Sequence, residues 1–292
     1  EERKGFSDTG YKIDKNLKTA NAFSKLAVRD PQTFIQYYGN PWLRYVSEAW
    51  VGPGYRFNTS LNIVPPGGQP QPAHRDYHMG FYDAEKCSKF PRLVQVANQI
   101  LALQGAVAHS DMPLPSGPTR FLPFSQLYEA GYMAARRPEF QDYFNANYVS
   151  VGLEKGDGVF FSPSVFHAAG ENKTQDFYRN AHLIQINSNF GKPSEFVNSV
   201  PIINSCWDLL LEQYNTYGLN SKVQSLVAAI GDGYPFPTAL DRLVNGVVDV
   251  FSMKTEQELI TSALEQGHSR DQIVAILKQN QQARYGVFLN EF

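Results

Sequence analysis

Hydrophobic and polar positions change rhythm twice along the 292 residues of the chain. Over the first 53 residues the spacing predicts helix and loop. Asp30 followed by Pro31 predicts a helix start, an N-cap with proline at the first helical position. The stretch "PQTFIQYYGNPWLRYVSEAW" then keeps helical spacing, broken near Gly39-Asn40-Pro41. From about residue 54 the period drops to two. "YRFNTSLNIV" alternates and runs into the turn-rich loop "PPGGQPQP". "PRLVQVANQILALQGAV" predicts one or two buried strands. "VSVGLEKGDGVFFSPSVFHAAG" predicts a short strand, a turn at Lys155-Gly156-Asp157-Gly158 and another strand. "RNAHLIQINSNF" alternates again. Short strands divided by Gly/Pro turns predict an antiparallel barrel or sandwich. After Phe196 helical patterning returns. Thr255 with Glu258, and Ser269 with Gln272, each match a capping box, and Gly267 between them suits a helix stop.

This pattern divides the chain into three parts: residues 1–53 as a helical and loop layer packing on the barrel, 54–196 as the β core, and 197–292 as a helical extension. The extension is a candidate lid or dimer interface, which makes a homodimer one assembly open to the chain. Hydrophobic residues make up 42% and charged residues 18%, enough for a sizeable core. The 20 Phe and 16 Tyr suit a β-rich core or an aromatic-lined pocket. A net charge of −2 gives no electrostatic footprint for nucleic acid or an anionic membrane, and no apolar run reaches the length of a membrane span. The paired helices near the C-terminal end lack the basic face of a DNA reader. Cys87 and Cys206 alone exclude a disulfide scaffold or a Cys-rich zinc site and fit a reducing compartment, so the expected location is intracellular and cytoplasmic. The chain starts at Glu1, which leaves an upstream targeting segment open. Two short glycosylation sequons, at Asn58 and Asn172, are discounted.

The chemistry gathers around "PAHRDYHMGF" at 72–81. His-Arg-Asp opens a kinase catalytic loop, but that loop needs Asn five residues past the Asp, and Phe81 stands there. The remaining reading is metal ligation. Residues i and i+2 of a strand project to one face, so His74 and Asp76 point at one ion. A third ligand must come from elsewhere. His167 stands where the apolar strand of "GDGVFFSPSVFHAAGEN" ends, and Arg179 opens the next alternating run. Two histidines and one carboxylate leave open positions on a metal, the arrangement of non-haem Fe(II) oxygenases, and an arginine one strand away can clamp a dicarboxylate.

Three stretches carry a family resemblance: "PPGGQPQPAHRDYH", "ILALQGAVAHSDMPLPSGPTRFLPFSQ" and "KGDGVFFSPSVFHAAGENKTQDFYRNAHLIQINSNFG". Together, over about residues 54–196, they resemble the phytanoyl-CoA dioxygenase family of Fe(II)- and 2-oxoglutarate-dependent oxygenases. Phe124 stands where the family turn usually has Gly, and Gln126 where it usually has His. The resemblance implies a mainly β fold with flanking helices, its core a double-stranded β-helix (a jelly roll, cupin-like). It implies that His74, Asp76 and His167 bind Fe(II) and act in catalysis. Arg179 would bind the distal carboxylate of 2-oxoglutarate, with Thr119 and Gln95 as further cosubstrate contacts. Ala181 stands where related oxygenases often carry Ser. The reaction implied uses O2 to hydroxylate or desaturate a C–H bond of a small organic substrate, with succinate and CO2 as co-products. A carboxylate at Asp76 points away from halogenation, which needs that ligand position empty. Tyr77, His78, Phe81 and Tyr82 are candidates for the pocket wall, with Asn62 on the preceding strand. The loop "MPLPSGP" and the connector "YPFPTALDR" are candidate lids. A catalytically silent barrel that binds 2-oxoglutarate or a related acid as a sensor or scaffold is the alternative, and a cupin-like enzyme with another ion is a third.

Overall fold

The computed structural model describes residues 16–236 and 253–285. Among these residues the chain forms eight strands and eleven α-helices, the helical segments taking about 47%. That corrects the mainly β expectation. The strands lie where the alternation places them, but long insertions between them are helical.

The chain divides into two compact units, residues 1–22 with 59–186 and residues 23–58 with 187–292. The first is built on strands β1 (Leu17–Ala20), β2 (Arg56–Val64), β3 (Ala102–Ala108), β4 (Arg120–Phe121), β5 (Val149–Ser150), β6 (Gly158–Phe161), β7 (His167–Ala168) and β8 (Arg179–Asn187). One sheet runs β1-β2-β8-β3-β6 and the other β5-β4-β7. The pairs β1–β2, β3–β6, β4–β5 and β4–β7 are antiparallel. The second sheet gains one further rung where His74 bridges His167. Its strands are short because proline-bearing and glycine-bearing loops interrupt the ladder.

The helices are α1 (Ala22–Arg29), α2 (Pro31–Tyr38), α3 (Pro41–Val51), α4 (Ala84–Ser88), α5 (Arg92–Ile100), α6 (Gly131–Ala134), α7 (Pro138–Asn147), α8 (Ser199–Tyr217), α9 (Ser221–Ile230), α10 (Glu256–Glu265) and α11 (Arg270–Tyr285). Helices α4 to α7 belong to the first unit, and helices from both ends of the chain share the second. Segment 91–100, expected as strand, is a helix. Short apolar runs do not distinguish strand from helix by periodicity alone. Here Leu93, Ala97 and Ile100 keep helical spacing, yet Leu93 and Ile100 are exposed while Asn98 and Gln99 are buried.

Local signals elsewhere hold. Asp30 accepts from the Thr33 amide at 3.0 Å with Pro31 behind it, and Asn40 caps the next helix through the Trp42 amide at 3.0 Å. Thr255 and Glu258 form both halves of a capping box. Gly267, at φ +63°, separates α10 from α11. In the second unit, Phe23 packs edge-on against Phe34 and Tyr38, and α8 buries Val200, Ile203, Trp207 and Leu210 along one face. Of the connector at 234–242, residues beyond Phe236 lie outside the described residues.

Candidate metal centre

The centre starts from one backbone rung. The His74 amide donates to the His167 carbonyl at 3.0 Å, and the His167 amide returns the bond at 3.1 Å. Residues paired in this way present their side chains on one face, and the two imidazoles stand 4.5 Å apart, centroid to centroid. Asp76, two residues past His74, shares that face. Its carboxylate lies 3.6 Å from His74 Nε2 and 3.3 Å from His167 Nε2. One donor atom from each of the three falls within 4.8 Å of the others.

The outer ring nitrogens settle which atoms face inward. Nδ1 of His74 is 2.9 Å from the Pro72 carbonyl, and Nδ1 of His167 is 2.8 Å from the Val165 carbonyl. A carbonyl only accepts, so each Nδ1 carries the hydrogen and each Nε2 keeps its lone pair for the centre. Burial pushes the His74 imidazole below its ordinary range, opposed by Asp76 and helped by His167, which favours the neutral form that ligates. For Asp76, burial alone would raise the pKa. The two neighbouring imidazoles, His74 foremost, outweigh it, so the carboxyl is held well below the usual carboxylate range. Two bare imidazole nitrogens and an ionised carboxylate are the donor set that suits ferrous iron, so the residues present fit that ion.

Residues 72–76 lie outside a regular strand, and side chains from later in the chain take over the missing ladder bonds. Gln141 on α7 clamps Ala73, accepting from its amide at 3.0 Å and donating to its carbonyl at 2.8 Å. The Tyr132 hydroxyl donates to the Asp76 carbonyl at 3.1 Å and accepts from Asn98 at 2.9 Å. Arg75 points the opposite way from its neighbours. Its guanidinium donates to the carbonyls of Ser125 and Tyr128 and lies over the rings of Tyr132 and Phe166. Arg120 donates to the Gln71 carbonyl at 2.6 Å.

Arg179 is 4% exposed at the start of β8. Its Nη1 donates to the Gly117 carbonyl, its Nε has no partner, and among the described residues no acidic side chain forms an ion pair with it. Burial pushes its guanidinium down to about 10, so it remains a cation. A buried cation without a counter-charge is costly, and a ligand carboxylate would satisfy it. Gly117 reaches this position because its backbone is stacked against Gly170–Glu171. A Cβ there would meet the Glu171 carbonyl, and φ is +72°.

The other expected site residues are placed as follows. Thr119 is half-buried two residues past Gly117. Tyr77 is 2% exposed, at φ +68°, with its ring 4.2 Å from that of His78. A tyrosine held at that φ right after Asp76 is strained. Phe81 is half-exposed, and Asn62 is half-buried opposite Lys18. Gln95 lies on α5, and its amide donates to the carbonyls of Cys87 and Phe90. Two neighbours of the triad are absent from the sequence reading: Gln104, whose amide nitrogen is 2.9 Å from His167 Nε2, and Phe161, edge-on to His167 at 4.8 Å. A lone polar residue inside the apolar run "LALQGAV" was the available signal for Gln104.

Among the described residues no helix is long and apolar enough to cross a membrane. Relatives include a dioxygenase, andF, of Emericella variicolor, 24% identical over 239 residues that span 76% of each chain. Dioxygenase cdmD of Talaromyces verruculosus is 31% identical over 201 residues, covering 65% of this chain and 61% of that one. EctD from S. alaskensis, solved with 2-oxoglutarate and 5-hydroxyectoine, superposes with a TM-score of 0.46 at 14% identity over 61% of this chain and 57% of that one. The model of the phytanoyl-CoA dioxygenase (PhyH) family matches residues 2–181. The chain therefore belongs to the phytanoyl-CoA dioxygenase family, and it is a non-haem enzyme that uses iron and 2-oxoglutarate.

Proposed function

We propose that the enzyme hydroxylates or desaturates a C–H bond of a small organic substrate, with His74, Asp76 and His167 holding the iron and Arg179 the far carboxylate of 2-oxoglutarate. One observation carries the reading. Three side chains from two separate segments, 74–76 and 167, converge with both Nε2 lone pairs turned inward and the carboxylate between them. Three protein donors leave coordination positions for a chelating cosubstrate. Iron, 2-oxoglutarate and O2 together supply the oxidising chemistry, with 2-oxoglutarate leaving as succinate and CO2.

The protein's part is placement. Arg179 orients the cosubstrate by its distal carboxylate, and Gly117 steadies the guanidinium through its carbonyl. Thr119, two residues past Gly117, is the further cosubstrate contact of this reading. Phe161, edge-on to His167, covers one side of the triad with apolar ring surface, which excludes water and lowers the local dielectric. The sheet orders β2-β8-β3-β6 and β5-β4-β7, with the His74 rung beside β7, are those of an eight-stranded jelly roll in which the His74 segment acts as the remaining strand.

The test is coupled turnover. The iron-loaded protein, given 2-oxoglutarate, O2 and a panel of apolar small molecules, is expected to form succinate in step with an oxidised product. Oxidation of a substrate without succinate would rule the reading out.

A further inference from the structure

We propose that Gln104 is a positioning residue of the metal centre, one that holds Asp76 to a single-oxygen contact and so keeps coordination positions open for 2-oxoglutarate. The inference rests on the metal reading of His74, Asp76 and His167.

Gln104 lies on β3 directly opposite Phe161 of β6, the residue whose ring meets His167. It is 5% exposed, in an otherwise apolar strand. Its amide nitrogen is 2.9 Å from His167 Nε2. That ring nitrogen is the acceptor, because Nδ1 on the other side of the ring gives its hydrogen to the Val165 carbonyl. Nε2 has one lone pair, and it serves either the amide or an ion. Ion binding through Nε2 therefore releases the Gln104 N–H, and the acceptor at hand is Asp76, whose carboxylate stands 3.3 Å from the same Nε2.

The other half of the carboxamide supports a functional placement. Gln104 Oε1 is buried and has no hydrogen-bond partner among the described residues. A residue that merely fills space in an apolar strand leaves no carbonyl orphaned, since Leu or Met fills it without that cost. A carboxylate oxygen tied to a donor is less available to the metal. With that tie removed, Asp76 is free to close on the ion through both oxygens, which takes up a position the bidentate cosubstrate needs.

The experiment compares wild type with Gln104→Met, which keeps the chain length and removes both hydrogen-bonding groups, and Gln104→Glu, which keeps the shape and replaces the donor. Co(II) affinity, the visible spectrum of the Co(II) form, anaerobic 2-oxoglutarate affinity of that form and the melting temperature are measured for each. Expected for both variants is 2-oxoglutarate binding weakened about tenfold, with the Co(II) spectrum altered. For Gln104→Met, Co(II) affinity is expected to fall less than 2-oxoglutarate affinity, with little change in melting temperature. Unchanged 2-oxoglutarate affinity and spectrum in Gln104→Met overturn the positioning role while leaving the metal reading in place. Proportional loss of both affinities together with the melting temperature also overturns it, because Gln104 is then a structural support. Failure of wild type to bind Co(II) overturns the metal reading and this inference with it.

Discussion

The guanidinium of Arg75 occupies the space where a Cβ on Gly131 would lie. Gly131 opens helix α6 with φ outside the left-handed region, so its backbone would accept any residue. Glycine is required by its neighbour. Arg75 in turn is 1% exposed, with no carboxylate partner among the described residues, held by carbonyls and by two aromatic rings. It fastens the 125–131 segment behind the metal ligands.

Helix propensity alone predicts that Gly131→Ala stabilises by about 1 kcal/mol. The Arg75 contact reverses that sign, and the expected result is a loss of about 1–3 kcal/mol in chemical denaturation. Combining it with Arg75→Met should recover part of the loss, because the obstructing group is gone. Strict additivity of the two changes contradicts the coupling.

Phe124 sits at φ +63°, ψ +1°, with 75% of its surface exposed. A side chain in that conformation costs about 1–2 kcal/mol, and an exposed ring recovers little of it. Phe124→Gly is therefore expected to raise stability by about 0.5–1 kcal/mol, after the entropy that glycine costs in the unfolded chain. A drop in stability would mean the ring makes a contact that outweighs the strain.

His182 on β8 is 4% exposed, and burial, with His109 adding to it, pushes its imidazole down to about 4. In the unfolded chain it protonates near the ordinary 6.5. Between those values the unfolded state binds a proton that the folded state refuses. Stability therefore falls as pH drops from 6.5 towards 4, by about 1.4 kcal/mol per pH unit, and this contribution levels off below 4. His182→Gln should lose less stability than wild type between pH 7 and pH 5. Equal losses contradict the assignment.

Gln141→Ala removes both partners of Ala73, the residue before the first ligand. The expected cost is about 2 kcal/mol of stability, with ion affinity lowered about tenfold as His74 loses its fixed position. Titration with Co(II) checks the second figure, and unchanged affinity would show that the His74–His167 rung alone holds the ligand.

The proposed ligands are legible in the chain because each carries a local signal. His74 and Asp76 share a strand face by their spacing, and His167 ends an apolar strand that a glycine turn begins. The helix starts at Asp30 and Thr255 are legible for the same reason, since a cap is written within four residues. What supports the ligands is not local. Gln104 reaches His167 across 63 positions and Gln141 reaches Ala73 across 68. No period announces such contacts: Gln141 on a helix reads equally well as solvated, and Gln104 shows only as a lone polar residue in an apolar strand. The α5 segment failed differently. Its apolar residues point outward and Asn98 and Gln99 inward, so tertiary placement overrode the usual reading of a hydrophobic run.

The central claim is that His74, Asp76 and His167 hold iron in front of Arg179. The most direct test is anaerobic addition of Fe(II) and then 2-oxoglutarate to wild type, Asp76→Ala and Arg179→Ala, watching the weak visible absorption of the iron chelate. Wild type should develop the band, Asp76→Ala should lose it with its metal, and Arg179→Ala should need much more 2-oxoglutarate to reach it. A wild type that retains no iron and shows no band, or an Asp76→Ala variant with an undiminished one, contradicts the account.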